Sequence, residues 1–189
     1  MATWLWSLLG LAGAAFAVKM VYVVSTALVL PATQGALYVS TSLARIGAVF
    51  DAVPMAAGQL LVDLGCGDGR VLRAASRRYG VKAVGYELNP MAYLRARLQC
   101  LGRPGIRVVR RNFWRADLSR ADVVFCYLFP DVMARMAEKI RTGAKPGAVV
   151  VSCNFPVPGL VPRQVLRPPG ALNHDPIYIY RVDDAPGGA

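Results

Sequence analysis

The chain has 189 residues, 55% of them hydrophobic, which leaves room for one domain of ordinary size with appendages and excludes two large domains. Its 22 Lys and Arg residues outnumber its 11 Asp and Glu residues, and the net charge of +11 indicates an anionic partner, either nucleic acid or a membrane surface. The four cysteines are widely spaced and the single histidine, His174, lies in a turn region, so we expect reduced thiols, no metal site and no histidine-based catalysis.

The first predicted element is an apolar N-terminal segment, which we interpret as a transmembrane anchor over residues 1–31. Its length exceeds the roughly 20 apolar residues that a spanning helix needs. Trp4 and Trp6 lie near one end, where indole rings favour the membrane interface, and Pro31 closes the other end. A cleaved signal peptide and a buried core helix are the alternatives, although no basic residue precedes Trp4, as a secretory signal would require.

Lys19 is the only charged side chain of this segment. A charge in mid-bilayer costs roughly 3 kcal/mol unless it reaches the headgroups, so the span either ends near Lys19 or is longer and tilted. Basic residues follow the segment, and the positive-inside tendency predicts a single-pass protein whose globular part faces the cytoplasm, or the matrix in a mitochondrial inner membrane. These basic residues are Arg45, Arg70, Arg73, Arg77 and Arg78.

The rest of the chain alternates short apolar runs with amphipathic ones, after a connecting segment over residues 32–58 that has helical character near residues 42–53. Continuous apolar runs are typical of parallel strands covered on both faces, so the alternation predicts a parallel sheet with helical crossovers. Gly80 and Gly102 are expected to end the first two helices of the sheet. The predicted strands are Gln59–Leu64, Lys82–Glu87, Gly105–Arg110, Asp122–Tyr127 and Gly147–Asn154, and the predicted helices are Arg70–Tyr79, Pro90–Leu101 and Asp131–Thr142.

Two further strand-like runs, Arg163–Arg167 and Pro176–Val182, leave no room for a crossover helix between them, so they must pair antiparallel. The predicted fold class is therefore α/β, with a doubly wound, mostly parallel, Rossmann-like sheet and a C-terminal antiparallel hairpin. We expect this domain to cover residues 59–183 and residues 184–189 to form a disordered tail.

A glycine-rich turn follows the first predicted strand, with Gly65, Gly67 and Gly69 at alternate positions. Glycines allow a tight turn and a close approach of the backbone to a ligand, and the spacing differs from the G-x-G-x-x-G of dinucleotide-binding proteins. Asp63 and Asp68 would repel a pyrophosphate, but they would attract a ligand that carries a sulfonium and an α-ammonium group. The turn therefore predicts a cationic ligand.

Glu87 closes the second predicted strand, where an acidic side chain receives the ribose hydroxyls of an adenosine. A turn or helix-capping role is the alternative for Asp63 and Glu87. A glycine turn alone is a weak signal, but its combination with acidic neighbours and a strand-end glutamate is specific. The pattern favours a cationic nucleoside as the ligand.

The sequence Asp-Leu-Gly-Cys-Gly-Asp-Gly-Arg at 63–70, with Gly-Tyr-Glu-Leu-Asn-Pro at 85–90, resembles the S-adenosylmethionine site of class I methyltransferases. The resemblance covers roughly residues 41–182, and it implies S-adenosylmethionine as the cofactor, with Glu87 on the ribose. It places Asp63, Gly65, Cys66, Gly67, Asp68 and Gly69 at the methionine end, Leu88 and Asn89 beside the adenine, and Asn112 and Phe113 where such enzymes recognise the adenine amino group.

A narrower resemblance is to the membrane-associated protein-lysine methyltransferases that modify the adenine nucleotide translocase and the membrane-embedded C-subunit of ATP synthase. It implies a lysine acceptor on a membrane-embedded or membrane-adjacent protein, and a place for Thr41 near the cofactor carboxylate. The chain departs from that group in having Ser40 where a proline is usual. The motifs are the apolar leader, Tyr-Val-Ser-Thr at 38–41, Glu-Leu-Asn-Pro at 87–90, Asn-Phe-Trp at 112–114, Asp-Leu-Ser at 117–119 and Cys-Asn-Phe-Pro at 153–156.

The acceptor site is expected at the carboxyl ends of the strands, where open α/β sheets bind ligands. We expect Tyr127 to hydrogen-bond to the acceptor and Phe129 to line its channel, with Asn154 after the fifth strand as a secondary candidate. Ordinary packing is the alternative for Tyr127 and Phe129, and a local turn or helix cap is the alternative for Thr41.

Other functions are compatible with the same motifs: methylation of RNA, methylation of a small or lipid-like acceptor, or a non-catalytic cofactor-binding scaffold. No RNA-binding module is apparent, so nucleic acid is not the expected partner. We assign the excess positive charge mainly to the anionic headgroups of a lipid bilayer.

Overall fold

The structure, a computed structural model, describes residues 3–29, 41–168 and 175–182. The helices in these ranges are α1 (Thr3–Val29), α2 (Leu43–Ala52), α3 (Arg70–Tyr79), α4 (Pro90–Gln99) and α5 (Pro130–Gly143), with a short 3-10 helix at Phe113–Arg115. The strands are β1 (Leu60–Leu64), β2 (Lys82–Tyr86), β3 (Ile106–Val109), β4 (Val123–Cys126), β5 (Val149–Cys153), β6 (Gln164–Leu166) and β7 (Ile177–Arg181).

The strands form one seven-stranded sheet in the order β3-β2-β1-β4-β5-β7-β6. Strands β1 to β5 are parallel, and β7 lies antiparallel between β5 and β6. The predicted α/β fold with its antiparallel hairpin is confirmed. The strand order reverses between β1 and β4, and such a switch point is where open α/β sheets bind ligands.

Apolar side chains fill both faces of the sheet. Val123 and Phe125 of β4 pack with α2 and α3 on one face, whereas Val124 and Cys126 pack with α5 on the other. Each large apolar side chain buried in this way stabilises the fold by about 1.5–3 kcal/mol. Double coverage explains why the strands are nearly continuous apolar runs in the sequence.

Helix ends follow local chemistry. Gly80 ends α3 in the left-handed conformation, at φ 64°, as the sequence predicts. The expectation that α4 continues to Gly102 is wrong, because the helix ends at Gln99 and Cys100 forms its cap. Pro130 begins α5 one residue earlier than predicted, since proline suits the first turn of a helix.

Helix α1 is exposed along its described side chains, and its segment Trp4–Val21 is long and apolar enough to cross a membrane by length and composition. The four cysteines are buried free thiols. Pro31, Ser40 and His174 lie outside the described residues, as do the rest of the segment 30–40 and the expected tail.

Candidate active site

Several of the predicted site residues converge at the carboxyl ends of β1, β2 and β4. Asp63 of β1 lies beside Gly85 of β2 and Phe125 of β4 in the sheet register. A small cavity opens here, with a volume of ≈ 20 Å³, so a ligand of nucleoside size would extend beyond it. Its walls are formed by Thr41, Asp63, Gly65, Cys66, Gly67, Asp68, Arg70, Val71, Phe125 and Tyr127.

Backbone hydrogen bonds hold the glycine turn against β2. The N–H groups of Gly65 and Cys66 both donate to the Tyr86 carbonyl, at 2.9 and 3.0 Å. Gly67 adopts φ 56° and Gly65 φ 90°, a backbone region that favours glycine. A Cβ on Gly85 would lie 2.6 Å from the Cys66 Sγ, so the turn packs directly on this strand. Local backbone geometry therefore determines the shape of the turn.

The Glu87 carboxylate bridges the glycine turn and the start of α4. Its Oε2 accepts a hydrogen bond from the Gly67 N–H at 2.9 Å, and its Oε1 accepts one from the Asn89 N–H at 2.8 Å. Burial raises the pKa of Glu87, while these backbone N–H groups oppose the rise. Each carboxylate oxygen has a second lone pair, so Glu87 can also accept from a pair of hydroxyls.

Asp63, near the carboxyl end of β1, is a buried carboxylate that is only 3% exposed. Burial raises its pKa well above the ordinary value, and the charges of Glu87 and Asp68 raise it further. Burying a carboxylate is costly, and a bound cation would offset that cost. The residues present therefore fit a ligand that carries a sulfonium and an ammonium group.

Asp68 is held by a residue that the sequence analysis missed as part of the site. Arg70 donates to it through Nε at 3.0 Å and through Nη2 at 2.9 Å. Although burial raises the pKa of Asp68, the hydrogen bonds and charge of Arg70 bring it below the ordinary value. Asp68 thus offers less free negative charge than the sequence suggested. The position of Arg70 directly after the turn was the available signal.

Thr41 lies in the cavity wall, and its carbonyl accepts from Arg70 Nη1 at 3.1 Å. The interpretation of Thr41 as a helix cap is wrong, because Ser42 caps α2 through its Oγ, which accepts from the Arg45 N–H at 3.3 Å. Thr41 therefore lines the same cavity as Asp63. Its contact with the cofactor remains a prediction.

Two of the predicted adenine-side residues have evident structural roles. The Asn89 Oδ1 caps α4 by accepting from the N–H groups of Met91 and Ala92. The Asn112 Oδ1 accepts from the Trp114 N–H at 3.0 Å and caps the 3-10 helix. Phe113 is buried in the core under α5, and Leu88 is half-buried beside Asn89. The cavity wall includes none of these predicted residues.

On the acceptor side, Tyr127 reaches the cavity wall, whereas Phe129 and Asn154 do not. Phe129 is half-buried at the start of α5. Asn154 has a left-handed backbone, φ 78°, and its N–H donates to the Pro176 carbonyl at 2.8 Å. Burial raises the pKa of Tyr127, so its hydroxyl stays protonated near neutral pH.

Arg45 is a second site residue that the sequence analysis missed. It is 5% exposed, its guanidinium carbon lies 5.4 Å from the centroid of the Tyr127 ring, and its Nη1 donates to Asp175 at 3.3 Å. Within the described ranges, its Nε and Nη2 have no hydrogen-bond partner. The signal in the sequence was a basic residue on the face of α2 that buries Val49 and Phe50.

Sequence comparison connects this geometry to known proteins. The model of the ANTKMT methyltransferase domain family matches residues 63–164. A protein-lysine N-methyltransferase of Saccharolobus islandicus (strain REY15A) is 31% identical over 153 residues, which cover 78% of this chain and 94% of that protein. The ATP synthase C-subunit lysine N-methyltransferase of Homo sapiens is 31% identical over 168 residues, covering 86% of this chain and 70% of that protein.

Structural comparison agrees with the sequence relatives. An RNA methyltransferase from Salinibacter ruber, solved in complex with S-adenosyl-L-homocysteine, has a TM-score of 0.72 and 26% identity, covering 79% of this chain and 98% of that one. The predicted cofactor, S-adenosylmethionine, and the predicted methyltransferase class are confirmed. The chain belongs to the ANTKMT methyltransferase domain family and is a class I S-adenosylmethionine-dependent methyltransferase.

Proposed function

We propose that this enzyme methylates a lysine of a membrane-embedded or membrane-adjacent protein and is anchored by α1. The observation that carries the proposal is the cavity lined by both the buried Asp63 carboxylate and the Tyr127 side chain. The names of the relatives support a lysine acceptor, and several of them are named for the adenine nucleotide translocase or for the C-subunit of ATP synthase.

Each part of the cofactor would have a partner in the site. Glu87 would hold the ribose hydroxyls, the glycine turn would contact the methionine end, and Asp63 would neutralise the cationic groups. When bound, S-adenosylmethionine supplies an electrophilic methyl group on a sulfonium. Thr41, in the same wall, lies within the part of the site that would meet the cofactor carboxylate.

The acceptor amine must be neutral to attack. Tyr127 would accept a hydrogen bond from that amine and orient its lone pair, since positioning supplies much of the rate in such transfers. The buried positive charge of Arg45, beside the Tyr127 ring, disfavours the ammonium form of a nearby lysine. Both side chains therefore favour the reactive form of the acceptor.

The membrane assignment rests on α1 and on charge. Trp4–Val21 satisfies the length and composition of a span, and the net charge of +11 suits anionic headgroups. We assign the globular part to the cytoplasmic side, or to the matrix side if the protein is mitochondrial, by the positive-inside tendency. A lysine-bearing protein in the same membrane would then be within reach.

Labelled S-adenosylmethionine, incubated with the full chain and cell membranes, tests the acceptor class. We expect label on protein lysine, identified by mass spectrometry of hydrolysed peptides. The Glu87→Ala variant should bind the cofactor at least tenfold more weakly, a loss of about 1.5–3 kcal/mol for hydrogen bonds to a charged group, and should leave membranes unlabelled. Glu138→Gln, which changes an exposed carboxylate of α5, is the matched control and should label normally.

RNA is the second candidate acceptor, because the solved Salinibacter ruber structure that covers most of this chain is that of an RNA methyltransferase. The same incubation separates the two, if total RNA and lipid extract are counted beside the protein fraction. Label in RNA or lipid with none on lysine would overturn the proposed acceptor while leaving the methyltransferase class intact.

A further inference from the structure

Helix α4 has apolar side chains on both its buried and its exposed face. The buried face is formed by the small residues Ala92, Ala96 and Cys100, which let the helix lie close to the sheet. On the outer side, Leu94, Leu98 and Leu101 are 49%, 63% and 76% exposed. Their spacing puts the first two one turn apart on the same face, and Leu101 continues that line beyond the helix end. We call these three side chains the leucine stripe.

Arginines flank the leucine stripe on both sides. Arg95 and Arg97 are exposed on α4, on opposite sides of the stripe in the helical arrangement. At the end of the helix, Arg97, Arg103 and Arg107 border a groove of ≈ 440 Å³. An exposed apolar line between cationic side chains is the pattern of a helix that lies in the interface of an anionic membrane.

Arg95, which flanks the leucine stripe, borders the helix that is long enough to span a membrane. Ala15, Val18 and Lys19 of α1 form one groove of ≈ 450 Å³ with Met91 and Arg95 of α4. The part of α1 before Lys19 is about 24 Å long at 1.5 Å per residue, close to the roughly 30 Å of a hydrocarbon core. Lys19 and Arg95 therefore share the level where headgroups would lie.

We propose that the leucine stripe is a second membrane-contact surface, resting on a leaflet with anionic phosphate headgroups and held there by the flanking arginines. The proposal rests on the membrane anchoring proposed above. Asp68 of the glycine turn borders the same α1–α4 groove, so this contact would hold the cofactor site at headgroup level. A lysine near the surface of an embedded protein would then be presented to the site without leaving the membrane.

Spin labels on the full chain test this contact in nanodiscs of phosphatidylcholine with one third phosphatidylglycerol. Labelling is selective for an introduced thiol, because the four native cysteines are buried. Leu98→Cys probes the stripe, and Val161→Cys, at an 88% exposed residue before β6 at the opposite edge of the sheet, is the matched control. We expect the spin relaxation rate of the label at 98 to be raised mainly by dissolved oxygen, which enters lipid. The relaxation rate of the label at 161 should be raised mainly by a water-soluble nickel chelate.

Three outcomes would overturn the proposal. The first is a label at 98 that is as accessible to the nickel chelate as the label at 161. The second is a label at 98 shielded from both reagents, which would indicate a covering protein or a second copy of the chain. The third is lipid contact that is unchanged in pure phosphatidylcholine, which would remove the role of the arginines.

Enzyme assays in the same nanodiscs separate this proposal from the proposed function. Leu98→Glu should lower methylation of an embedded acceptor several-fold and leave the Kd for S-adenosylmethionine unchanged, and Val161→Glu should change neither. An aqueous label at 98 with continued lysine methylation refutes the membrane contact alone. A lipid-facing label at 98 with methylation of RNA and none of lysine refutes the acceptor alone and supports the contact.

Discussion

On the cofactor side of the site, backbone groups determine the geometry: Gly65, Cys66 and Gly67 donate to Tyr86 and Glu87 over short, fixed distances. On the acceptor side, Tyr127 is surrounded by side chains from distant parts of the chain, and Arg45 and Asp175 are 130 residues apart in sequence. Where backbone groups form the site, an added side-chain atom would displace the backbone. Where side chains form it, a substitution of similar shape would keep the packing but change the local charge. Mutations in the two regions should therefore fail in different ways.

The largest effect is expected for Gly85→Ala, on the cofactor side. The new Cβ would lie 2.6 Å from both the Cys66 Sγ and the Leu72 Cδ1, so the turn must move away from β2. We expect a loss of about 1–3 kcal/mol in the free energy of unfolding, typical of overpacking, and no measurable S-adenosylmethionine binding by calorimetry. Gly47→Ala in α2, where a Cβ meets nothing within 4 Å, is the control and should bind normally. Wild-type affinity in Gly85→Ala would refute the backbone-built description.

A smaller and different effect is expected for Arg45→Met, on the acceptor side. Loss of the buried charge beside Tyr127 should lower kcat for lysine methylation about tenfold, equivalent to about 1.4 kcal/mol, and shift the kcat–pH profile to higher pH. The Kd for S-adenosylmethionine should not change. The pH profile matters because a purely structural role for Arg45 would lower activity without moving it.

Arg78→Met is the matched control for Arg45→Met. Arg78 pairs with Asp51 and lies 5.2 Å from the centroid of the Tyr79 ring, so it reproduces the same contacts on an exposed surface away from the site. Its kcat and pH profile should equal those of the wild type. A similar fall in kcat for both variants would show that charge near Tyr127 has no special part in the reaction.

A third effect is the pH dependence of the ligand-free protein's stability. The raised pKa of Asp63 means that, above the ordinary carboxyl pKa of 3.8, the folded chain keeps a proton that the unfolded chain releases. Stability should therefore fall as pH rises from that value to the folded pKa, by at most about 1.4 kcal/mol per pH unit, and level off above it.

Urea unfolding of the wild type and of Asp63→Asn at a series of pH values measures this contribution as the difference between the two curves. The difference should grow in favour of Asp63→Asn as pH rises through that window. Asp51→Asn, at an exposed carboxylate, serves as the control. A constant difference between wild type and Asp63→Asn would show that Asp63 has an ordinary pKa and that burial does not raise it.

Much of the site on the cofactor side was predictable because its signals are local. The glycine turn, Asp63 and Glu87 belong to two short motifs, each tied to a strand end by its neighbours in sequence. The roles of the individual adenine-side residues were less predictable. Asn89 and Asn112 each precede a helix, and an asparagine at that position can cap the helix instead of binding a ligand. The positions of Phe129 and Asn154 outside the cavity wall depend on how the loops after β4 and β5 turn.

The leucines of the stripe are visible in the sequence of α4, but the sequence does not distinguish exposed leucines from core leucines. Helix α4 carries apolar residues all round, so the sequence does not show which of them face the sheet. The structure buries Ala92 and Ala96 and leaves Leu94 and Leu98 exposed, because the space between helix and sheet accepts only small side chains.

Periodicity, turn chemistry and contiguous motifs act over a few residues, so the residue pattern alone predicted the succession of strands and helices, the antiparallel hairpin, and the glycine turn with its acidic partners. The folded structure was needed to show that Arg70 pairs with Asp68, that Arg45 lies over Tyr127 beside Asp175, and that Arg95, next to the leucine stripe, borders α1. Some of these contacts join side chains that are far apart along the chain, so no sequence motif indicates them. In the others, packing in the folded protein determines which partner a side chain meets.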